Sequence, residues 1–468
     1  MSHIITKLTI VSASIFFSGC ASISVPEKPE RSPLVQIENI TPNQFFNAQQ
    51  VSLPMASQWW SLFGDSTLTR LIEQTLLANR ELEVAEANVK IASTSLARQT
   101  LETSYSTQSG SNINIGRNPA PNRNVVASLG GSLGASWEYD AFGRIAAAIK
   151  AAELNVEAAE QARQDIAVIV SSETALAYVD LRGAQKRLAV AEENARTQSK
   201  SLDLLQDLFD NGRATKLDIS RAKAQYRTTL ADLPRFQAII DNAVSRLAVL
   251  TGASATSPDT SLLSIASSSS DIPTLQAPFA IGSPEELIRR RPDIRAAETD
   301  IARRLALSDV ERSRLFPTLT FSTDISALFG AANRIDQLSS FGFGLGPAIS
   351  WEGPDLRRVR ADIDIADSQT QRAYKVYEQV VTQALSDVEV ALASRQNEQR
   401  RREDLSLAAD AAKTALDIAT LRFEEGLDDF LDVLDAQRTL LTAQDRLAEN
   451  QLQTTRLTVL AYRELGGL

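Results

Sequence analysis

The chain has 468 residues, more than one simple core accommodates, and its 48 Lys+Arg against 58 Asp+Glu leave a net charge of −10. That acidic balance argues against nucleic acid as a partner. The only histidine is His3 and the only cysteine is Cys20, both at the extreme N-terminus. Histidine triads, thiol nucleophiles, internal disulfides and Cys/His zinc sites are therefore excluded, and no cofactor is expected.

The N-terminus has the form of an export signal: Lys7, the apolar run Leu8 to Phe17, then Ser18-Gly19 directly before Cys20. Residues 1–19 read as a signal peptide. A small pair before a cysteine resembles the bacterial lipobox, in which the cysteine is lipidated and becomes the first mature residue. Ala21 behind it then implies sorting to the outer membrane. The competing reading is a generic signal peptide cut elsewhere, with Cys20 incidental. Residues 20–58 carry Pro26, Pro29, Pro33, Pro42 and Pro54 and read as an extended arm. No later stretch reaches the 18 or so apolar residues of a spanning helix, so a membrane crossing requires strands.

From Trp59 onward Leu68, Leu71, Ile72, Leu76, Leu82, Ala85, Val89 and Leu96 keep a spacing of three and four, which predicts helix to about Thr100. Residues 103–139 lose that period. Leu129, Leu133, Ala135 and Trp137 alternate with Gly130, Ser132, Gly134 and Ser136, and in the second half Leu319, Phe321 and Ile325 alternate with Thr320, Ser322 and Asp324. Phe341, Phe343 and Leu345 alternate with glycines. Each half thus holds two strands. Apolar-out, small-polar-in alternation is the signature of an outer-membrane barrel, although the strands alone favour a soluble hairpin with one buried face.

After each hairpin comes a helical pattern without proline, about 141–210 and 355–424, long enough to span ~100 Å. In the first, Ile145, Ile149, Ala152, Val156, Ala159, Ile166 and Val170 form a coiled-coil seam. Each long helix ends at a glycine, Gly212 or Gly426, suited to a left-handed cap, and a shorter helix returns to Gly252 or Gly466.

The chain contains itself twice. Trp137-Glu138 recurs as Trp351-Glu352, Phe209-Asp210-Asn211-Gly212 as Phe423-Glu424-Glu425-Gly426, and Gly252 as Gly466, always 214 residues apart. Upstream, Asn79 matches Arg291 at a separation of 212. The repeats are residues 59–252 and 284–468, separated by a serine- and proline-bearing linker, 253–283.

The densest charge lies at the second turn. From Glu424 to Asp435 stand six acids, Glu424, Glu425, Asp428, Asp429, Asp432 and Asp435, with no base among them. Glu424 and Glu425 sit at a helix C-terminus, where the macrodipole disfavours negative charge. Asp428, Asp432 and Asp435 are spaced to share one face, continued by Thr439, Thr442, Arg446, Glu449 and Gln453. At matching positions the first turn carries Arg213, Lys216 and Arg221, with Asp218 opposite Asp432, so the two tips have complementary charge. Solvated turn charges without a special role are the simpler reading of these residues alone. Divalent cation binding is a secondary alternative, and a carboxylate-pair hydrolase is disfavoured because nothing nearby raises a pKa.

Helix, two strands, long helix, turn and returning helix, all repeated, is an organisation that resembles the TolC-like outer-membrane efflux family. Four motifs carry the resemblance in detail: Trp59-Trp60-Ser61-Leu62-Phe63-Gly64-Asp65, Trp137 to Arg144, Arg289 to Glu298, and Leu431 to Arg438. They look like the lipoprotein branch of that family. Trp351-Glu352-Gly353-Pro354-Asp355 departs from the aromatic-Asp-Gly-Gly turn of relatives. The resemblance implies a mixed α and β, internally duplicated fold: a helical coiled-coil barrel plus a membrane β-barrel, four strands per protomer closing twelve in a homotrimer. It further implies lipidation at Cys20 and embedding in outer-membrane lipid. The implied function is the exit channel of a tripartite efflux pump for small toxic compounds, without catalysis, beside a periplasmic adaptor protein and an inner-membrane RND-type transporter. Asp432 and Asp435, with Arg221 and Asp218, would form a periplasmic gate. Gly212, Arg213, Lys216, Glu424, Glu425, Gly426, Asp428 and Asp429 would form the surrounding turns. The rival readings are a protein-secretion duct and, in a different class, a periplasmic coiled-coil scaffold or adaptor.

Overall fold

A computed structural model describes residues 58–117, 125–254, 260–268, 270–276, 279, 290–331, 334–353 and 356–467. The expected signal peptide, Cys20 and the proline-bearing arm lie outside these residues, as do residues 255–259, 269, 277–278 and 280–283 of the linker. A 3-10 turn at Trp59–Phe63 leads into α1 (Ser66–Ala78) and α2 (Arg80–Ser104). Strands β1 (Ser106–Arg117) and β2 (Val125–Tyr139) follow, then the long α3 (Arg144–Asp210) and the returning α4 (Lys216–Leu250). A short α5 (Thr260–Ser267) falls in the region read as linker. The second repeat comprises α6 (Pro292–Ser313), β3 (Thr318–Ala331), β4 (Arg334–Ser350), α7 (Arg357–Glu424) and α8 (Phe430–Glu464). No described helix is long and apolar enough to cross a membrane.

The chain forms two compact units, and each draws on both repeats. One contains Asn88–Glu160 and Ala296–Glu378, hence all four strands. They make one antiparallel sheet in the order β1-β2-β3-β4, with β2 against β3 joining the two hairpins. Trp137 pairs with Phe321, and their rings stack 5.7 Å apart. Alternation puts Ile113, Leu133, Trp137, Phe321, Ile325, Phe343 and Leu345 on one face. Nothing described covers that face: Phe343 is 81% exposed and Leu345 85%. The soluble hairpin with a buried apolar face is thereby ruled out. On the other face glycines make room for polar neighbours. A Cβ at Gly130 would stand 2.2 Å from Asn112 Oδ1, and one at Gly344 2.4 Å from Asp324 Oδ1.

The coiled-coil seam is shifted from its expected line. Ile145 and Val170 are buried, but Ile149, Ala152, Val156, Ala159 and Ile166 are only half-buried. In this unit Ala151 and Leu154 of α3 instead pack against Ala306 of α6. Alanines permit the close approach, and the neighbouring half-buried stripe keeps apolar surface available.

The other unit holds the described residues up to Ala87, Gln161–Arg295 and Gln379–Leu468. Its core gathers Trp59, Trp60, Phe63, Leu68, Leu247 and Tyr462, with Trp59 stacked on Tyr462 at 5.4 Å. Within the linker, α5 adds Leu262 and Ile265 to this core. Its C-terminal carbonyls are held by Arg182, 3% exposed, which donates to Ser268 O at 2.7 Å and to Ile265 O, and also binds Tyr178 Oη and Gln185 Oε1. In α4, Pro234 stands inside the helix, where it removes one backbone donor.

The expected single helix from Trp59 to Thr100 breaks at Asn79, whose backbone is extended at φ −72°, ψ 130°. Its side chain explains the break. Oδ1 accepts from the Glu81 and Leu82 N–H groups, capping α2, while Nδ2 donates to Leu250 O at the end of α4. The pseudo-equivalent residue in the second repeat is Arg291, whose Nη1 donates to Glu464 O at the end of α8, 2.7 Å away. Asn and Arg thus perform the same task in the two copies. Beside them lie Gly252 at φ 77° and Gly466 at φ 85°.

These glycines differ in how much room they have. A Cβ on Gly252 would meet Ala78 O at 2.2 Å, a backbone atom that cannot swing away, whereas one on Gly466 meets Arg291 no closer than 3.3 Å. Gly252→Ala is therefore expected to destabilise by about 2–4 kcal/mol and Gly466→Ala by about 1–2 kcal/mol. Thermal unfolding of the two purified variants checks this order; equal shifts in midpoint would contradict it.

Candidate functional site

The two helical turns, α3 to α4 and α7 to α8, share a backbone and differ in chemistry. In the first, Gly212 N–H donates to Phe209 O and Arg213 N–H to Leu208 O, both at 2.8 Å; in the second, Gly426 and Leu427 make the same pair to Phe423 and Arg422. This is the double closure of a glycine-ended helix. Gly212 and Gly426 have φ 73° and 75°, and a Cβ on either would meet nothing within 4 Å. Glycine is required there by the dihedral alone.

Beneath both turns lies one apolar cluster: Leu205, Ala222, Ala412, Leu416, Phe430, Val433 and Leu440. Between the tips a groove of about 370 Å³ is lined by Leu208, Thr215, Asp218, Phe423, Asp428 and Phe430, among others. The first tip is closed by a reciprocal cap, in which Thr215 Oγ1 accepts from the Asp218 N–H and Asp218 Oδ2 accepts from the Thr215 N–H, each at 3.2 Å. The second tip has no such cap at Asp429. Phe430, standing where the first copy has Lys216, meets Phe423 edge-on at 5.4 Å. Arg422 straps the turn by a two-point ion pair to Asp428, with Nη2 to Oδ1 at 2.8 Å.

The structure thus relocates one of the expected acids. Asp428 does not continue the helical face of Asp432 and Asp435, because α8 begins at Phe430 and Asp428 belongs to the turn. The hydrogen bond from Arg422 holds its carboxyl below the usual range and raises the guanidinium in turn. Asp432 and Asp435 are exposed on one side of α8, and Asp435 takes Arg438 of its own helix at 2.9 Å. Arg213, Lys216 and Arg221 are exposed, and among the described residues none forms an ion pair with an acid of the second tip. Further along the polar stripe, Glu449 and Asp445 grip Arg187 of α3. Burial lowers the Arg187 pKa, but the two carboxylates more than offset this and it lies above normal. Sequence reasoning missed the Arg422 strap because the acidic run was counted from Glu424, two residues too late. An arginine one turn before a helix-ending glycine was the available signal.

A match to the family model for "Outer membrane efflux protein" covers residues 71–253 and 283–462, one segment in each repeat. The chain belongs to the outer membrane efflux protein family. Nodulation protein T of Rhizobium leguminosarum bv. trifolii is 30% identical over 83% of each chain. The pyoverdine export outer membrane protein OpmQ of Pseudomonas aeruginosa is 26% identical over 98% of this chain and 96% of its own. Among solved structures, the outer-membrane channel OprN superposes with a TM-score of 0.81 at 33% identity, covering 92% of this chain and 96% of that one. The mixed, duplicated TolC-like fold and the outer-membrane efflux function follow for this chain.

The strap gives the second tip a defined pH response. Because the folded pKa of Asp428 is depressed, its stabilisation is present above the ordinary carboxylate pKa and is lost as pH falls through the lower folded value. The second turn should therefore hold unchanged from neutral to mildly acid pH and loosen only in strong acid. In Asp428→Asn, amide hydrogen exchange at 424–430 should accelerate already at neutral pH, while exchange at 210–216 stays as in the wild type.

Proposed function

We propose that three copies of this chain form the outer-membrane exit duct of a tripartite efflux pump, passive and without catalytic residues, which releases small toxic compounds including drugs. The observation that supports trimeric closure most directly is the sheet. Its apolar face is exposed along all four strands, and β1 and β4 leave open edges that hydrocarbon cannot solvate. Pairing β1 of one copy with β4 of the next removes every edge and yields twelve strands. The half-buried alanine-rich stripes of α3 fit the same arrangement, with helices of adjacent copies supplying the missing partner surface. Energy would come from an inner-membrane RND-type transporter joined through a periplasmic adaptor. Small-molecule cargo rather than protein is favoured by the OpmQ relative, whose name assigns it pyoverdine export.

In this reading the tips are the periplasmic gate. Asp432 and Asp435, exposed and without a carboxylate-neutralising partner from the first tip, would form rings in the lumen, and Arg213, Lys216 and Arg221 would meet acids of neighbouring copies. Replacing both aspartates by alanine is expected to raise single-channel conductance in planar bilayers and to reduce cation preference. The difference should shrink as ionic strength rises, since these charges are solvent-accessible. Unchanged conductance and selectivity at low salt would place the constriction elsewhere on the helices.

The repeat boundaries 59–252 and 284–468 and the lipid anchor belong to the same proposal. Cys20 directly after Ser18-Gly19 is the lipidated residue. Labelled palmitate should enter the wild type and be lost from Cys20→Ser, and equal labelling would remove the anchor while leaving the channel reading intact.

A further inference from the structure

Arg395 of α7 is 8% exposed and has almost nothing to bind. Its guanidinium lies over the Phe279 ring at 4.4 Å, and its Nε donates to Thr458 Oγ1 at 3.1 Å. Thr458 has already directed its own proton to Thr454 O, 2.8 Å away. Neither Nη group of Arg395 has a hydrogen-bond or ion-pair partner among the described residues. Against the same Phe279 ring, at 4.8 Å, lies Tyr462, fully buried, with a hydroxyl that finds no partner. The two Nη groups of Arg395 and the Tyr462 hydroxyl thus lie against one ring without an acceptor among the described residues, the hydroxyl shielded from solvent.

The duplication shows that the fold does not need them. The positions 214 residues earlier are Leu181, Val244 and Ala248, all buried and apolar, in place of Arg395, Thr458 and Tyr462. One copy packs this region with hydrocarbon alone. Arg182 makes the second comparison, because it is as deeply buried yet has two carbonyls, a phenol and an amide to receive its donors. Burying a guanidinium with a single hydroxyl as acceptor is costly, and removing that cost takes a negative charge. A water molecule satisfies donors but leaves the charge.

We propose that Arg395 and Tyr462, steadied by Thr458 and Phe279, bind a small monovalent anion of the chloride class. The guanidinium Nη groups and the phenol donate to it, and the aromatic surroundings favour an ion that is weakly hydrated over a multiply charged one. Burial raises the Tyr462 hydroxyl to about 12, so it remains a protonated donor at physiological pH. This inference is independent of the gate and of the cargo.

The test uses full-length protein in detergent, with chloride replacing gluconate at constant ionic strength. The thermal midpoint should rise with chloride and saturate, as mass action requires. Arg395→Leu installs the residue that the first repeat already uses and should abolish the chloride dependence. Tyr462→Phe should raise the half-saturating concentration about tenfold. Bromide-soaked crystals of the wild type should show an anomalous peak within hydrogen-bond reach of Arg395, a readout that does not require any variant to fold. A wild-type midpoint indifferent to chloride, an undiminished shift in Arg395→Leu, or a carboxylate side chain of the assembly found on Arg395 would each overturn the proposal.

Discussion

The structure depends on how the returning helices end. At Leu250 and Glu464 the last carbonyls of α4 and α8 would be left without partners in a crowded interior, and the chain answers both times from the residue that precedes an outgoing helix. Asn79 and Arg291 each tie the end of one element to the start of another. That junction sits beside the core of Trp59, Trp60, Phe63 and Tyr462, so the aromatic packing and the polar tie reinforce each other. Gly252 and Gly466 make the approach possible, and without it neither helix pair could meet so closely.

Duplication preserved backbone geometry more strictly than side-chain chemistry. The tips close through identical hydrogen bonds, yet one is locked by a Thr-Asp cap and the other by a Phe pair and an Arg-Asp strap. The junctions use an amide in one copy and a guanidinium in the other. The buried trio around Arg395 is hydrocarbon in the first copy. Backbone closure is a constraint shared by both halves, because both must turn a long helix back on itself. Side chains were free to diverge wherever the two halves face different surroundings.

Much of this was legible from residue patterns. Glycines at the ends of apolar periods located both turns, and alternation located β2, β3 and β4, because each signal is local, while β1, with only Ile113 and Ile115 apolar, carried no such run. The break at Asn79 shows in the sequence only as the six-residue gap between Leu76 and Leu82, where a spacing of three or four would continue the helix, and its cause is a carbonyl 171 residues away. The seam in α3 was displaced by a position or two, because a helix rich in alanine has more than one face that can pack. At the candidate site the acids were evident as a cluster, but the departure of Asp428 toward Arg422 depends on where the turn places α8. Local composition does not encode that.

Pro234 makes the two returning helices mechanically unequal. It deprives the Leu230 carbonyl of its backbone partner, whereas the corresponding position in α8 is Ala448, buried and fully compatible with a continuous helix. A bending force applied along both rods would therefore concentrate its strain between 230 and 234 in the first and distribute it in the second. The pair works as a jointed strut beside a stiff one, and the joint lies in the copy whose tip carries the basic residues.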